Sequence, residues 1–365
     1  MKNSNKLRII RALTNTSLVL LSVVITLVLA EFMVRGFLPQ NRLVTWLEMH
    51  PKGFMMNQVG GSSFQQFADR TASYSFTKQR LRGQEEASAN NKRVLALGDS
   101  FTFGLLLNQE HTFTHHLNQS LKQVGNDSTV ILNGGVGGAG LADWPLWLET
   151  YGEDIAPSIV LYYLNVSDLE RALSKNLFVL QNDTLIKSMR WQPQAFMFEL
   201  GRKGWYRWLQ ANSDIANILV KLMWKHLYFK DLTNNFDAEE SSYLIPDYDD
   251  FLLESDYSLD LGLKLISRMQ NWCAANNCKL IVTTTGFFEQ RETPNHTSKL
   301  YNSILESGLP NNIPFYDNTP CVTNLASNDL NNIRIPIDLH PNELGGELIA
   351  TCTWQWLPAV LEGQY

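Results

Sequence analysis

The chain has 365 residues, a formal net charge of -6 at pH 7 and a sequence pI near 5.7. Beyond the N-terminus it contains no basic stripe interleaved with aromatic residues, so the composition argues against nucleic-acid binding. The length exceeds one average domain and fits one large α/β domain with an N-terminal anchor and an insertion.

Residues 1–35 differ in composition from the rest of the chain. Four cations precede an uncharged, largely apolar stretch over residues 12–30, and these are Lys2, Lys6, Arg8 and Arg11. A stretch of this length can just cross a bilayer core about 30 Å thick. Because positive charge stays on the cytoplasmic side, we expect a single-pass membrane helix with a cytoplasmic N-terminus and the body of the protein in the periplasm or outside the cell.

The alternative for this segment is a signal peptide that is cleaved, which would release the protein as a secreted one. The small residue Ala30 ends the apolar stretch and suits a signal peptidase. The sequence "EFMVRGFLP" continues apolar after that point, as a helix leaving a membrane would, and therefore favours the uncleaved anchor.

Residues 36–90 show weak periodicity, and Gly60-Gly61 lies among polar clusters. We expect this segment to be a membrane-proximal lead-in that contributes no core element. The main domain is expected over residues 91–365.

From residue 91 onward, strand and helix signals alternate. The predicted strands are Val94–Leu97, Val130–Leu132, Ser158–Leu164, Lys279–Thr285 and Ile313–Asp317. The predicted helices are His111–Gln123, Leu141–Tyr151, Leu259–Ala275, Ser298–Ser307 and Glu343–Leu361. The third strand is apolar at both its odd and its even positions, which is typical of a strand buried on both faces of a parallel sheet. The pattern predicts an α/β fold: a flavodoxin-like, doubly wound parallel sheet of five strands with helices on both faces.

The alternation lapses over about residues 170–257. This segment contains "GWYRWLQANSDIANILVKLMWKHLYF", which has a helical pattern with an aromatic-rich face. We expect a helical insertion that covers one edge of the sheet. Two other interpretations stay open: a lid or acyl-group pocket over the active site, and a surface whose aromatic side chains lie on the membrane.

Four cysteines occur in the chain: Cys273, Cys278, Cys321 and Cys352. In an oxidising compartment an even number can pair, and four cysteines allow three connectivities. We expect Cys321 to pair with Cys352, because one follows a predicted strand and the other lies on the last helix. The alternative is four free buried thiols.

Ser100 lies where the first predicted strand ends, in "VLALGDSFTFG". In open α/β sheets, ligands bind at the carboxyl ends of the strands. A serine hydroxyl needs a base to take its proton, and "IPIDLHPNELGG" supplies His340 and Asp338 before the last helix. In an extended segment, residues two apart point to the same side, so the Asp338 carboxylate is placed to orient the His340 imidazole.

Two further loops offer donors for an oxyanion. "NGGVGGAG" follows the second strand and exposes the backbone N–H groups of Gly137 and Gly138. "LNVSDLE" follows the third strand and contains Asn165, Ser167 and Asp168. We expect Asp168 to cap a helix rather than take part in chemistry.

These four segments resemble, in order and approximate spacing, the four sequence blocks of the SGNH/GDSL hydrolase family. They span Gly98 to Asn342, about two thirds of the chain. The N-terminal segment and "YSFTKQRLRGQ" are similar to the membrane-anchored bacterial branch of that family. The resemblance implies Ser100 as nucleophile, His340 as general base and Asp338 as its orienting carboxylate.

The same resemblance implies an oxyanion hole formed by the backbone N–H groups of Ser100 and Gly138. The family adds an asparagine side chain at the position that Ser167 occupies here, and Asn165 lies two residues earlier as a substitute. The spacing Asp-x-His is also shorter than the Asp-x-x-His of many members. No metal or organic cofactor is implied.

Together these features predict a membrane-anchored, extracytoplasmic serine esterase that acts through an acyl-serine intermediate. We expect it to remove or transfer a small acyl group, such as acetyl, on an envelope carbohydrate, with a membrane acyltransferase or complex as a partner. Two alternatives stay open: an inactive scaffold subunit, which the Ser167 substitution suggests, and a lipid esterase with a groove lined by the aromatic residues of the insertion.

Overall fold

The computed structural model describes residues 2–83, 91–188, 195–223, 256–286, 299–327 and 329–364. It begins with one long helix, α1 (Lys2–Phe37). Within α1, Leu13–Phe37 has a mean hydropathy of 2.5 and no buried part. By length and composition this segment could cross a membrane, and a signal sequence would have the same properties.

Residues 38–83 form two short antiparallel hairpins, β1 (Leu47–Met49) with β2 (Met55–Asn57), and β3 (Ser62–Phe67) with β4 (Arg70–Ser75). The expectation that this segment contributes no core element is wrong. A cluster of buried side chains joins the hairpins to the main domain, and it contains Trp46, Ala72, Tyr74, Phe76 and Phe103. Ala72, Tyr74 and Phe76 alternate with polar residues, a period of two that is typical of a half-buried strand, so a local signal for this burial was present and was missed.

The remaining elements follow in chain order. The strands are β5 (Lys92–Gly98), β6 (Thr129–Asn133), β7 (Ile159–Leu164), β8 (Phe178–Gln181), β9 (Thr184–Lys187), β10 (Lys279–Thr284) and β11 (Phe315–Tyr316). The helices are α2 (Ser100–Phe103), α3 (Phe113–Gln123), α4 (Asp143–Trp147), α5 (Glu153–Ile155), α6 (Val166–Lys175), α7 (Ala195–Gly201), α8 (Gly204–Asn212), α9 (214–223), α10 (Asp256–Ala275), α11 (Lys299–Ser307), α12 (Thr319–Leu325), α13 (Glu343–Trp354) and α14 (Leu357–Leu361).

The main sheet has five parallel strands in the order β11-β10-β7-β5-β6. Counted along the chain within this sheet, the order is 2-1-3-4-5, which is the flavodoxin-like order. The central strand β7 is buried on both faces. In β7, Val160 and Tyr162 pack in one core cluster, whereas Leu161 and Tyr163 pack in the other. The predicted fold class is therefore confirmed.

The C-terminal helix and the insertion are among the elements that differ from the predicted pattern. The helix expected over Glu343–Leu361 is divided into α13 and α14, and Pro358 lies in the first turn of α14, where its missing N–H leaves no bond unmade. The insertion begins with an antiparallel hairpin, β8 with β9, that the sequence did not indicate. Its helices α7, α8 and α9 follow, and the predicted helical pattern beyond residue 223 lies outside the described residues.

A disulfide joins Cys321 to Cys352 and so links α12 to α13. Cys273 and Cys278 are free thiols. The expected pairing is confirmed, and both partners lie near the last strand of the main sheet.

Candidate active site

Ser100 lies at the first position of α2, directly after the end of β5, and is mostly buried. The turn depends on two neighbours. A Cβ atom at Gly98 would lie 2.1 Å from Thr102 Oγ1, so no larger residue fits there. Asp99 is the N-cap of α2, and its Oδ1 accepts from the backbone N–H of Phe101 at 2.9 Å. Asp99 thus ties the loop together, as expected, and leaves the Ser100 hydroxyl free to point elsewhere.

His340 and Asp338 meet Ser100 across 240 residues of sequence. His340 Nε2 lies 2.7 Å from Ser100 Oγ, and His340 Nδ1 lies 2.5 Å from Asp338 Oδ1. When Nδ1–H donates to the carboxylate, Nε2 carries a lone pair and accepts from the serine hydroxyl. The structure therefore brings the three predicted residues into one hydrogen-bonded line.

The segment that carries Asp338 and His340 is a turn, and the expectation of an extended segment is wrong. Ile337 and Leu339 adopt left-handed backbone angles, with φ of 73° and 70°. The Ile335 N–H donates to the His340 carbonyl at 2.8 Å, and the Leu339 N–H donates to the Ile335 carbonyl at 2.9 Å. The two side chains share a side because this tight turn folds them together. A left-handed β-branched residue such as Ile337 is rare, and strain of this kind concentrates at functional sites.

The charge state of Asp338 follows from its surroundings. Burial pushes the pKa of Asp338 upward, but the hydrogen bond and the charge of His340 outweigh burial, so this pKa lies below its ordinary value. The carboxylate therefore stays ionised beside the imidazole. The Phe101 ring lies against His340 with 4.8 Å between the ring centroids, which restricts the imidazole from the other side.

The glycine-rich loop after β6 is held against the end of β5. The Val136 N–H donates to the Gly98 carbonyl at 3.0 Å. Gly138 has a φ of +73° and is exposed, and no atom lies within 4 Å of where its Cβ would be. Among the described residues, the backbone N–H groups of Ser100 and Gly138 have no acceptor. Both donors are thus available to a bound group.

Two cations of α6 fix this loop, and sequence reasoning missed both. Arg171 Nη1 donates to Asp99 Oδ2 at 2.8 Å and to the Ala139 carbonyl at 3.1 Å. Lys175 Nζ donates to the Gly138 carbonyl and to Asp143 Oδ2, each at 2.8 Å. The signal was the pair of cations four residues apart in "ERALSK", which share one face of a helix.

Asp143 and Asp168 extend this network into the core, and both are fully buried. Asp143 Oδ2 also accepts from the Gly140 N–H at 2.8 Å. Burial, and then the nearby Asp99, raise the pKa of Asp168 well above its ordinary value. The glycine-rich loop is therefore held by ion pairs whose carboxylates are buried and whose cations, Arg171 and Lys175, stay partly exposed.

Asn165 and Ser167 form the start of α6. Asn165 is the N-cap of α6. Its Oδ1 accepts from the Ser167 N–H at 3.3 Å and from Ser167 Oγ at 3.2 Å. In turn, Asp168 Oδ2 accepts from the Asn165 N–H. This capping box confirms the helix-cap role expected of Asp168. The Ser167 hydroxyl is engaged with Asn165, whereas the Asn165 Nδ2 group has no acceptor in the described part of the chain. Of the two predicted side-chain donors, the arrangement favours Asn165.

The described residues contain no group of three or more His, Cys, Asp or Glu side chains that could hold a metal ion. No protein-family model matches the chain, and no curated protein matches it.

Solved structures similar to this chain include two esterases and a GDSL-like lipase. A psychrotrophic esterase from Pseudoalteromonas sp. aligns at 12% identity and a TM-score of 0.42, over 74% of this chain and 100% of its own. An acetyl xylan esterase aligns at 16% identity and a TM-score of 0.40, over 72% of this chain and 98% of its own. A GDSL-like lipase from Bacteroides thetaiotaomicron aligns at 14% identity and a TM-score of 0.38, over 76% of this chain and 93% of its own. At such TM-scores these likenesses decide neither the family nor the substrate of this chain.

Proposed function

We propose that this chain is a serine ester hydrolase of the SGNH/GDSL type, with Ser100, His340 and Asp338 as its catalytic residues. The observation that carries the proposal is the continuous hydrogen-bonded line from Ser100 Oγ through the imidazole to Asp338, with separations of 2.7 Å and 2.5 Å. A nucleophile, a base and an orienting group in this order are the elements of acyl transfer through a serine.

In the first step, Ser100 Oγ attacks the carbonyl carbon of the ester while His340 Nε2 takes the hydroxyl proton. The imidazolium that forms is stabilised by the ionised Asp338, whose pKa lies below its ordinary value. Negative charge develops on the carbonyl oxygen of the tetrahedral intermediate. The unpaired N–H groups of Ser100 and Gly138, together with Asn165 Nδ2, are the donors proposed to stabilise it.

In the second step, the intermediate collapses, the alcohol leaves with the proton of His340, and an acyl group remains on Ser100 Oγ. Water or a sugar hydroxyl then attacks the acyl-serine while His340 again takes the proton. The bond from the acyl carbon to Ser100 Oγ breaks, and His340 returns the proton to Ser100 Oγ. Hydrolysis and transfer differ only in this acceptor, so the same residues serve either reaction.

We further propose that the enzyme is anchored by α1 and faces the periplasm or the cell exterior. Two observations support this location: α1 is long and apolar enough to cross a membrane, and the disulfide between Cys321 and Cys352 belongs to an oxidising compartment. Small acyl esters on an envelope carbohydrate, acetyl esters above all, are the proposed substrates, and a membrane acyltransferase is a proposed partner. This substrate class follows from the location and from the sequence resemblance.

The proposal is tested by p-nitrophenyl acetate hydrolysis with the full-length protein in detergent. We expect turnover that Ser100→Ala abolishes. The matched control is Ser167→Ala, which removes a hydroxyl engaged in the helix cap and should retain most activity. Equal rates in wild type and Ser100→Ala would indicate the inactive scaffold instead.

A further inference from the structure

The helices α8 and α9 bury polar side chains and expose apolar ones. On α8, Trp205 and Trp208 are 60% and 63% exposed, whereas Gln210 is buried together with Tyr206. On α9, the buried residues Asp214 and Asn217 lie opposite a face of exposed apolar ones. The exposed apolar side chains of the two helices, named here the apolar face, are Trp205, Trp208, Leu219, Leu222 and Met223. A helix on a water-soluble domain normally shows the reverse distribution.

Specific hydrogen bonds on the buried side fix this orientation. Gln210 Oε1 accepts from the Thr45 N–H at 3.2 Å, and Asn217 Nδ2 donates to the Gln210 carbonyl at 2.9 Å. Arg42 Nε pairs with Asp214 Oδ1 at 3.1 Å. Both helices therefore turn their polar sides toward the residues that follow α1, and the apolar face points away from the domain.

The same helices are bonded to the end of α1. Glu31 Oε1 accepts from the Asp214 N–H at 2.7 Å, so a carboxylate of α1 caps the first turn of α9. Ser213 Oγ donates to Glu31 Oε2 at 2.9 Å, and Arg35 Nη2 donates to the Asn212 carbonyl at 2.8 Å. Glu31 is the first charged residue after the uncharged stretch over residues 12–30. The helix pair thus meets α1 at Glu31, where the uncharged stretch over residues 12–30 ends.

The charge around the apolar face is positive, although the chain as a whole carries -6. Residues 195–223 contain four cations, which are Arg202, Lys203, Arg207 and Lys221. Their two anions are Glu199 and Asp214, and Asp214 is buried against Arg42. Arg202, Lys203 and Lys221 are exposed and Arg207 is half-buried, and exposed cations near exposed tryptophans suit the headgroup region of an anionic bilayer.

We propose that the apolar face lies in the surface of the bilayer that holds α1, at the level of the lipid headgroups. This inference rests on the membrane anchoring proposed above. Tryptophan side chains are favoured at that depth because their apolar rings and polar N–H groups suit the interface. With α1 as one contact and the apolar face as a second, the domain keeps one orientation toward the membrane.

The test uses full-length protein in nanodiscs of phosphatidylcholine and phosphatidylglycerol, with brominated or ordinary acyl chains. Bromine quenches the fluorescence of tryptophans that touch the lipid. The helix α1 contains no tryptophan, so it adds no signal. Trp191 and Trp224 lie outside the described residues and are replaced by Phe in every protein compared.

We expect brominated lipid to quench this background protein, and the added Trp205→Phe/Trp208→Phe pair to remove most of the quenching. The matched control, Trp354→Phe on α13, should keep it. Equal quenching in all three proteins, or none in any, would overturn the inference and indicate that protein covers the apolar face. Protein that washes off the discs would refute the anchor, and with it this inference, whereas hydrolysis of p-nitrophenyl acetate in the same discs reports on the catalytic proposal separately.

Discussion

The carboxyl edge of the main sheet and the helix pair α8–α9 place their polar groups in different surroundings. At the sheet edge, apolar residues fill both faces of the sheet, and the polar groups of Ser100, His340 and Asp338 lie at a partly accessible surface. In the helix pair, polar groups are buried and apolar ones are exposed. Periodicity tells which residues share a face, whereas contacts such as that of Gln210 with Thr45 decide which face is turned inward.

The largest effect is expected at the sheet edge. His340→Gln removes the base that accepts the Ser100 proton, so kcat for p-nitrophenyl acetate should fall on the order of 10⁶-fold, as for the histidine of other serine hydrolases. Lipid quenching of the same protein should be unchanged. Trp205→Phe/Trp208→Phe should lose the lipid quenching and keep the turnover. If either protein lost both the turnover and the quenching, the two regions would not be independent.

Asp338→Asn tests the orienting carboxylate. An amide cannot stabilise the imidazolium, so we expect kcat to fall on the order of 10⁴-fold. Because the folded pKa of Asp338 is lowered, its ionised form stabilises the fold above the pKa of the unfolded chain, about 3.9. That contribution is lost as the pH falls through the folded pKa. Urea titrations should show that the wild type loses more stability than Asp338→Asn as the pH is lowered from 5. If stability fell equally with pH in both proteins, the pairing of Asp338 with His340 would be contradicted.

Buried polar groups in the two regions can be compared directly. Lys175→Met leaves Asp143 buried without its cation and should lower the free energy of unfolding by about 3–5 kcal/mol. Asn217→Leu replaces an uncharged group and should cost about 1–3 kcal/mol, since two carbonyls lose a donor. Urea denaturation measures both losses of unfolding free energy. A larger loss for Asn217→Leu than for Lys175→Met would show that the buried polar groups of the helix pair stabilise the protein more than the ion pair of the loop does.

The disulfide is expected to give the smallest of these effects on the sheet domain. Replacing Cys321 and Cys352 by alanine opens a loop of 31 residues and should cost about 3–4 kcal/mol. The control, Cys278→Ser, changes a free thiol and should leave the melting temperature nearly unchanged. A reducing agent should lower the melting temperature of wild type only as far as that of the double variant.

Much of the fold and the catalytic line could be predicted from the sequence. The strands of the main sheet have continuous apolar runs, and Ser100 and His340 lie directly after a strand and before a helix, where position implies proximity. The left-handed turn at Ile337 was not predictable, because its geometry comes from long-range closure rather than from turn-forming residues. Arg171 and Lys175 were missed because a cation on a helix indicates a solvated face until its buried partners are known.

The hairpins before the main sheet were also missed. Trp46 and Tyr74 are buried by contact with Phe103, which lies far along the chain, and no local pattern encodes that contact. In the insertion, the helical pattern was recognised, but no local pattern indicated that Gln210 and Asn217 point inward.

The most direct test of the account is covalent labelling of the full-length protein with a fluorophosphonate, followed by mass spectrometry of its peptides. The account predicts one adduct on the peptide that contains Ser100, and far slower labelling after His340→Gln. No adduct, or an adduct on another serine that forms equally fast in both proteins, would contradict a Ser100 activated by His340.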